Sequence, residues 1–375
     1  MLNKFATADL LKALYTFLCA GVIAVIATPF VKKLAVKIGA VDVPKDERRM
    51  HKKPMPLMGG LAMYLGFVVA LLIFVPMTKE MIGTLIGATL IVVTGIIDDR
   101  FTMDAKVKFL CQIVAAIVPI ACGVRIELFT NFLSPTSGTQ ILLDTLSIPL
   151  TLVWIVGTCN AVNLIDGLDG LACGVSTIAS FSIFLILVQK GDPVTALVIA
   201  ALAGACIGFL PYNFNPAKIF MGDTGALFLG FILATVSIMG EFKWFSLVNF
   251  GLPFLVLGLP IFDTLFSIIR RVIHGKKPWE ADRGHIHHRL IDFGMSQKQA
   301  VAVLYAISAV LGLSANLLTN SNVIKLVIMG VVILIFIVIA VCVYITHEHH
   351  LKEQHLKQEA AKNAEGQDET NRVKQ

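Results

Sequence analysis

Long apolar runs separated by short polar segments cover most of the chain. Each run approaches the roughly 20 residues that a helix needs to cross a bilayer. The pattern predicts eleven membrane-spanning helices, three of them short, over residues 11–30, 59–76, 81–97, 107–126, 147–163, 171–188, 194–212, 224–240, 246–269, 299–318 and 323–346. We therefore expect an all-α integral membrane protein in which residues 1–346 form one polytopic bundle of about 11 transmembrane helices.

The composition supports this reading. Of the 375 residues, 56% are hydrophobic and only 15% are charged, whereas soluble domains have about 25% charged residues. A soluble globular protein is therefore excluded, and we expect no nucleic acid partner. The seven cysteines are scattered through apolar runs without a Cys-x-x-Cys pair. They are typical of small buried residues rather than of a disulfide scaffold or a zinc site.

Residues 347–375 differ from the rest of the chain because they are polar and of mixed charge. Their histidines look like metal ligands, but a segment so poor in apolar residues is typical of disorder. We predict a disordered cytoplasmic tail here.

Basic residues predict the orientation. When the N-terminal tail is placed outside, most of the 31 Lys and Arg residues fall in the odd-numbered connections and the C-terminal tail. Because basic residues collect on the cytoplasmic side, we expect the N-terminus outside and the C-terminus in the cytoplasm.

Polar and charged residues cluster at the ends of several spans, all on the predicted cytoplasmic side. Charge at the edge of the hydrocarbon is costly, so the one-sided clustering predicts a built site. The candidate site residues are Lys53, Asp98, Asp99, Asn163, Asp166, Asp169, Asn215, Asp223, Asp263, Arg271, His285, His287, His288 and Arg289.

Asp98 and Asp99 directly follow an apolar run. Adjacent carboxylates disfavour each other's ionised form unless a cation lies beside them, and Arg100 is a candidate for that cation. The pair predicts contact with a metal ion or with a metal-bound phosphate. The alternative is a helix end with solvated acids.

Asn163, Asp166 and Asp169 are spaced three apart, which places neighbours on one helix face. Such oxygen ligands suit Mg²⁺, which takes few protein ligands together with phosphate oxygens; the alternative is a polar turn between spans. Asp223 lies where the eighth span begins. It can act as a helix cap, as a contact for metal or phosphate at the positive helix end, or as both.

Asp263 lies inside a span, about two turns before Arg271, and is either functional or part of an ion pair that orients the helix. The histidines of His285–Arg289 allow zinc binding or phosphate contact. Zinc needs a closed set of partners, so contact with a polyanion by imidazoles that titrate near neutral pH is favoured. The basic run that ends at Lys53 contributes to orientation and can bind anionic headgroups.

Taken in order, these motifs resemble the polyprenyl-phosphate N-acetylhexosamine-1-phosphate transferases. The matching segments are His51–Gly60, Asp98–Asp99, Asn163–Gly170, Asn215–Gly225, Pro260–Asp263 with the arginine pair that follows, and His285–Arg289. Ile286 interrupts the histidines. This is similar to the GlcNAc-1-phosphate branch and differs from the triple histidine of the phospho-MurNAc-pentapeptide branch.

The resemblance implies an enzyme that transfers GlcNAc-1-phosphate from UDP-GlcNAc to undecaprenyl phosphate, with Mg²⁺ or Mn²⁺, in a cytoplasmic cleft of a bacterial cell membrane. It implies metal contacts for Asn163 and Asp223. It also implies catalytic or nucleotide-contacting roles for the acids Asp98, Asp99, Asp166 and Asp169, the first two near the lipid phosphate. The remaining candidates are expected to bind substrate, and a homodimer is an allowed assembly.

Three other readings stay open. A transporter would place acids in the middle of spans and show paired halves, whereas these acids lie at span ends and no repeat is visible. A lipid-binding scaffold without catalysis would need basic loops but no ordered acids. The nearest enzymatic alternative is a phospho-MurNAc-pentapeptide transferase of peptidoglycan synthesis.

Overall fold

The structure of the chain is a computed structural model that describes residues 6–43, 54–126, 128–130, 140–142, 144–239, 244–245, 247–277 and 284–318. Three sequence predictions lie outside these residues. They concern the span 323–346, the tail 347–375 and the role of Lys53.

Helices dominate the described residues, with five short strands between them. The helices are α1 (Thr7–Ile38), α2 (Gly59–Phe74), α3 (Lys79–Phe101), α4 (Ala105–Ala121), α5 (Asp144–Ile165), α6 (Leu171–Lys190), α7 (Pro193–Asn213), α8 (Gly222–Met239), α9 (Leu247–Val256), α10 (Gly258–Ile273), α11 (Ile286–Asp292) and α12 (Gln297–Leu318). The strands are β1 (Val41–Asp42), β2 (Met55–Pro56), β3 (Leu128–Thr130), β4 (Gln140–Leu142) and β5 (Trp244–Phe245).

Seven of the described helices are long and apolar enough to cross a membrane, namely α1, α3, α5, α6, α7, α8 and α12. The prediction of a helical, multi-span membrane protein is therefore confirmed. Helix α2 is apolar but has only 16 residues, and α4 has 17. The count of eleven spans stays a prediction.

The predicted span 246–269 is divided in the structure into α9 and α10, which meet at Leu257. Proline explains the break, because Pro260 has no N–H to donate to the carbonyl four residues earlier and its ring crowds the preceding turn. The continuous helix expected here was wrong. The second half, α10, carries Asp263 and Arg271 toward the candidate site.

Helix α8 forms the centre of the bundle. Its residues from Thr224 to Ile238 are all buried, and it packs mainly against α3 and α5. Apolar residues supply this core, among them Phe228 and Phe231, which are fully buried. A helix that is apolar on every side is stable only when neighbours surround it, and α8 meets that condition.

The strands form two small sheets. Strands β1 and β2 pair antiparallel. The end of β2 and the first residue of α2 also contact the segment before α8. Phe220 N–H donates to the Pro56 carbonyl at 2.9 Å, and Gly59 N–H donates to the Phe220 carbonyl at 2.9 Å. In the second sheet β3 lies between β4, antiparallel, and β5, parallel. The first sheet therefore fixes the start of α2 beside the start of α8.

Candidate active site

The site is built around the first turn of α8, where Asp99 from the end of α3 supplies the cap. The Asp99 carboxylate accepts hydrogen bonds from the backbone N–H of Asp223 (2.8 Å), the backbone N–H of Thr224 (3.3 Å) and the Thr224 hydroxyl (2.6 Å). The positive helix end thus holds an acid of the protein itself. The N–H groups that the sequence offered to an anion are occupied here by Asp99, and contact of this helix end with metal or phosphate stays a prediction.

Two glycines allow α3 and α8 to approach this closely. A Cβ at Gly95 would run into the backbone of Thr224. Gly222 has a φ of 66°, which favours glycine, and a Cβ there would collide with the Asp99 carboxylate. The cap therefore depends on the absence of side chains at both positions.

Both oxygens of the Asp223 carboxylate are engaged. Asn163 Nδ2 donates to Oδ1 at 2.9 Å, and the Lys108 ammonium forms an ion pair with Oδ2. Lys108 also pairs with Asp98 at 3.2 Å, and Asp98 accepts a hydrogen bond from Met103 N–H at 2.6 Å. The Lys108 ammonium thus bridges two carboxylates from different helices, α3 and α8.

Lys108 is the main functional candidate absent from the residues predicted from sequence. Arg100 was expected to supply the cation for the acidic pair, but its guanidinium lies over the ring of Phe101, 4.9 Å from the centroid. The signal for Lys108 was a lysine in the first turn of an apolar helix, where an unpaired charge is costly. Its partner Asp223 is far away in sequence, which concealed its role.

Asn163, Asp166 and Asp169 do not share a helix face, as their spacing suggested. Helix α5 ends at Ile165 and α6 begins at Leu171, so a turn carries the two acids away from Asn163. The helical-face prediction was wrong because the chain leaves the helix after Ile165, and the two glycines that follow favour a turn.

Asp169 joins three segments of the chain. Its Oδ2 accepts hydrogen bonds from Asn215 Nδ2 at 2.9 Å and from Ala217 N–H at 3.0 Å. Asn215 Nδ2 also donates to Gln297 Oε1 at 2.6 Å, at the start of α12. The Tyr305 hydroxyl donates to the Gly170 carbonyl at 2.6 Å. Asp169 and Asn215 therefore hold the turn before α6, the loop before α8 and the start of α12 together.

Asp166 is the acid in this turn with the strongest electrostatic perturbation. Burial raises the pKa of Asp166 to about 7, and the charges of Asp99 and Asp169 act in the same direction. Near neutral pH this carboxyl is therefore divided between its protonated and ionised forms, so it can hold or release a proton at the edge of the site.

Asp263 organises the histidine segment from α10. Its carboxylate accepts a hydrogen bond from Ile286 N–H at 2.8 Å and lies 2.8 Å from His285 Nδ1. Arg270 donates to the Gly284 carbonyl at 2.8 Å. Buried Arg271 donates to the Ser267 hydroxyl at 3.3 Å. The Asp263 carboxylate thus fixes the beginning of α11.

The three histidine rings lie side by side, and His287 packs against the Asp166–Gly170 turn. The rings of His285 and His287 are 5.8 Å apart and nearly parallel, and His288 lies 4.2 Å from His287. A Cβ at Gly167 would run into the His287 imidazole, so the ring lies directly on that backbone. The two motifs, distant in sequence, are in contact. Arg289 is on the exposed side of α11.

His287 does not behave as the expected titrating group. Burial lowers the pKa of His287 to about 3, and His288 and His285 lower it further while Asp263 opposes them. The imidazole is neutral at physiological pH, so the expectation of a protonation change near pH 7 was wrong for this residue. Both ring nitrogens are buried, and neither has a hydrogen-bond partner among the described residues.

The donors near Asp223 fit a magnesium ion by their chemistry. Carboxylate oxygens of Asp98 and Asp223 and the amide oxygen of Asn163 are hard ligands, and Mg²⁺ takes few of them beside water and phosphate. Within the described residues no three His, Cys, Asp or Glu side chains gather as a metal site. The protein would therefore contribute few of the ligands, and the Lys108 ammonium now lies between the two carboxylates.

Comparison with known proteins identifies the family of the chain. Residues 81–241 match the model of glycosyl transferase family 4. The chain is 42% identical over 316 residues to a probable undecaprenyl-phosphate N-acetylglucosaminyl 1-phosphate transferase of Bacillus subtilis, covering 84% of this chain and 87% of the relative.

Two further relatives have names that state different substrates. A decaprenyl-phosphate N-acetylglucosaminephosphotransferase of Mycolicibacterium smegmatis is 39% identical over 317 residues, 77% of each chain. A phospho-N-acetylmuramoyl-pentapeptide-transferase of Staphylococcus aureus is 34% identical over 281 residues, 71% of this chain and 86% of the relative.

Proposed function

We propose, since the chain belongs to glycosyl transferase family 4, that it transfers GlcNAc-1-phosphate from UDP-GlcNAc to undecaprenyl phosphate. The products are undecaprenyl-pyrophosphoryl-GlcNAc and UMP. The first of these is the first lipid-linked intermediate of a cell-envelope polysaccharide such as teichoic acid or O-antigen. The single observation that carries the proposal is the 42% identity to the Bacillus subtilis transferase. The Bacillus subtilis and Mycolicibacterium smegmatis relatives, whose names state transfer of N-acetylglucosamine phosphate, are 42% and 39% identical, against 34% for the muramoyl-pentapeptide enzyme.

The proposed reaction is a phosphoryl transfer between two anions. An oxygen of the lipid phosphate attacks the sugar-bearing phosphorus of UDP-GlcNAc, and the bond to the UMP oxygen breaks. A phosphomonoester is mostly dianionic at neutral pH, so the attacking oxygen needs no strong base. The work left to the protein is to position the reactants and neutralise their charge.

The residues around Asp223 support this work. Among the described residues, the Lys108 ammonium pairs with Asp98 and Asp223, and we assign it to a phosphate oxygen of one substrate. Asp98 and Asp99 are already engaged by Lys108, Met103 and α8, so we assign them to positioning rather than to proton abstraction. When bound at Asp223 and Asn163, Mg²⁺ or Mn²⁺ would supply further charge neutralisation on the pyrophosphate.

We assign the histidine segment to the sugar nucleotide. The neutral imidazole of His287 can donate a hydrogen bond through one nitrogen and accept one through the other. His285, oriented by Asp263, and His288 with Arg289 belong to the same segment and are assigned to the same ligand. Lys53 stays a predicted substrate contact.

The proposal includes a compartment. UDP-sugars are cytosolic, and the apolar tail of the acceptor has to remain in the bilayer. We therefore place the site in a cytoplasmic cleft of a bacterial cell membrane, with the N-terminus outside. A homodimer stays a prediction.

One assay tests the proposed function. The full-length chain, purified in detergent, is incubated with Mg²⁺, undecaprenyl phosphate and labelled UDP-GlcNAc, and both UMP and a lipid-linked sugar are measured. We expect both products, in equal amounts. Turnover of UDP-MurNAc-pentapeptide instead would move the chain to the other branch, and no turnover with either donor would overturn the proposal.

A further inference from the structure

A pair of carboxamides, Gln112 and Asn160, lies between α4 and α5, about one helical turn from Lys108 and Asn163, the residues that hold Asp223. Asn160 Nδ2 donates to Gln112 Oε1 at 2.6 Å, and Gln112 Nε2 donates back to Asn160 Oδ1 at 3.4 Å. Asn160 Nδ2 also donates to the Val156 carbonyl at 2.7 Å. Gln112 is only 1% exposed. Such side chains are costly among apolar helices unless they are paired, and paired amides hold the two helices together.

The position of the pair relative to the site is informative. Gln112 follows Lys108 by four residues on α4, and Asn160 precedes Asn163 by three residues on α5. Each amide therefore lies about one helical turn from its neighbour, roughly on the same helix face. Lys108 and Asn163 contact the two different oxygens of one Asp223 carboxylate. The rotation of α4 relative to α5 therefore affects whether both side chains reach Asp223 together.

We propose that the reciprocal Gln112–Asn160 amide pair is a positioning device, which fixes α4 against α5 so that Lys108 and Asn163 reach Asp223 together. Neither amide contacts substrate; each acts through the residue one turn away. The inference rests on the proposed transferase reaction. It assigns a role in turnover to two residues that lie inside the bundle, outside the candidate site.

The test replaces both amides by near-isosteric apolar residues, Gln112→Met together with Asn160→Leu. Removing both partners of a buried hydrogen bond is often neutral or stabilising, so the double variant is expected to unfold at the wild-type temperature or above it. We expect kcat to fall about 10- to 100-fold, because small misplacements at a transfer site have effects of this size. The KM for UDP-GlcNAc should stay near that of the wild type.

Two further variants separate positioning from general packing. The swapped pair, Gln112→Asn with Asn160→Gln, preserves one amide on each helix and should return kcat to within roughly threefold of wild type. Ser237→Ala removes the hydrogen bond that Trp154 Nε1 of α5 donates to the Ser237 hydroxyl of α8 at 3.0 Å and leaves the one to the Ala234 carbonyl at 3.3 Å. Because Trp154 lies at the middle of α5, six residues before Asn160 and nine before Asn163, kcat should be unchanged.

The outcomes are distinct. If the wild-type chain fails to release UMP from UDP-GlcNAc, the proposed function is overturned. If the wild type is active and the Met/Leu variant is folded with wild-type kcat, the positioning role alone is overturned. If the Met/Leu variant fails to fold, the swapped variant provides the test instead. It keeps one amide on each helix, so a folded swapped variant with a kcat 10-fold below that of the wild type would contradict the positioning role.

Discussion

Lys108 is the residue whose importance is least visible in the sequence. It lies in the first turn of α4 and pairs with Asp98 and Asp223, which belong to two other helices. The Lys108→Met variant should lose turnover by roughly 100-fold or more, because it removes the cation from a site that must hold several negative charges. Turnover of labelled UDP-GlcNAc by the purified variant measures this.

Lys106 provides a matched control on the same helix. Its side chain is exposed, and it lies two residues before Lys108, on a different side of α4. Lys106→Met should retain turnover close to that of the wild type. Equal rates in the two methionine variants would remove Lys108 from the site.

Asp166 leads to a prediction about pH. Burial raises its folded-state pKa from 3.8 to about 7, so the folded protein binds this proton more tightly than the unfolded chain does. Stability is therefore lost as the pH rises from about 4 through 7. Asp166→Asn, which never ionises, should raise the unfolding temperature at pH 8 and leave it nearly unchanged at pH 4.

Asp292 serves as the comparison for that measurement because it is an exposed acid at the end of α11. Asp292→Asn should shift the unfolding temperature similarly at both pH values. A gain from Asp166→Asn of the same size at pH 4 and pH 8 would show that the carboxyl titrates as an ordinary one.

At the scale of elements, the crossing of α3 and α8 controls the site. Gly95 allows the two helices to touch, and a methyl group there would overlap the Thr224 backbone. Gly95→Ala should destabilise the protein by about 1–3 kcal/mol through overpacking. It should also reduce turnover, because the Asp99 cap moves away from α8. Unfolding in denaturant and the UMP assay measure the two effects.

Gly157 offers the corresponding control in α5. A Cβ at this position would meet no atom within 4 Å, and alanine is favoured over glycine inside a helix. Gly157→Ala should therefore be neutral or slightly stabilising. A similar loss of stability in both alanine variants would indicate a general effect of helix substitution rather than the crossing.

Most elements were predictable because apolar runs of sufficient length leave few alternatives in a membrane. The break between α9 and α10 was missed, since the 246–269 run is largely apolar and hydropathy alone does not register its prolines. In the site, the clustering of Asp98, Asp223 and the histidines followed from their shared position at span ends. The partners of each residue did not follow, because pairs such as Lys108 with Asp223 depend on tertiary packing.

At the scale of the whole molecule, the ends of the helices define one functional face. Helices α3, α5 and α10 end at this face, whereas α4, α8 and α12 begin there. The contact of Gly167 with His287 joins the turn after α5 to the histidine segment. We expect this face to be cytoplasmic. Lys79 and Lys106 are exposed residues separated by the length of α3, so single cysteines at these positions report opposite sides.

The experiment uses a membrane-impermeant thiol reagent on intact cells. A cysteine in place of Lys79 should react, and one in place of Lys106 should react only after the membrane is permeabilised, because basic connections stay inside. The reverse pattern would contradict the predicted orientation. Reaction of both in intact cells would contradict a span between them.

The complete enclosure of α8 has a consequence for motion during turnover. Every residue from Thr224 to Ile238 is buried, and the first turn is held by Asp99. Shifting such a helix would disturb packing on all sides at once. Asp223 is therefore a stationary reference point, and the adjustments that admit a donor and release UMP fall to the outer segments, which move toward and away from it.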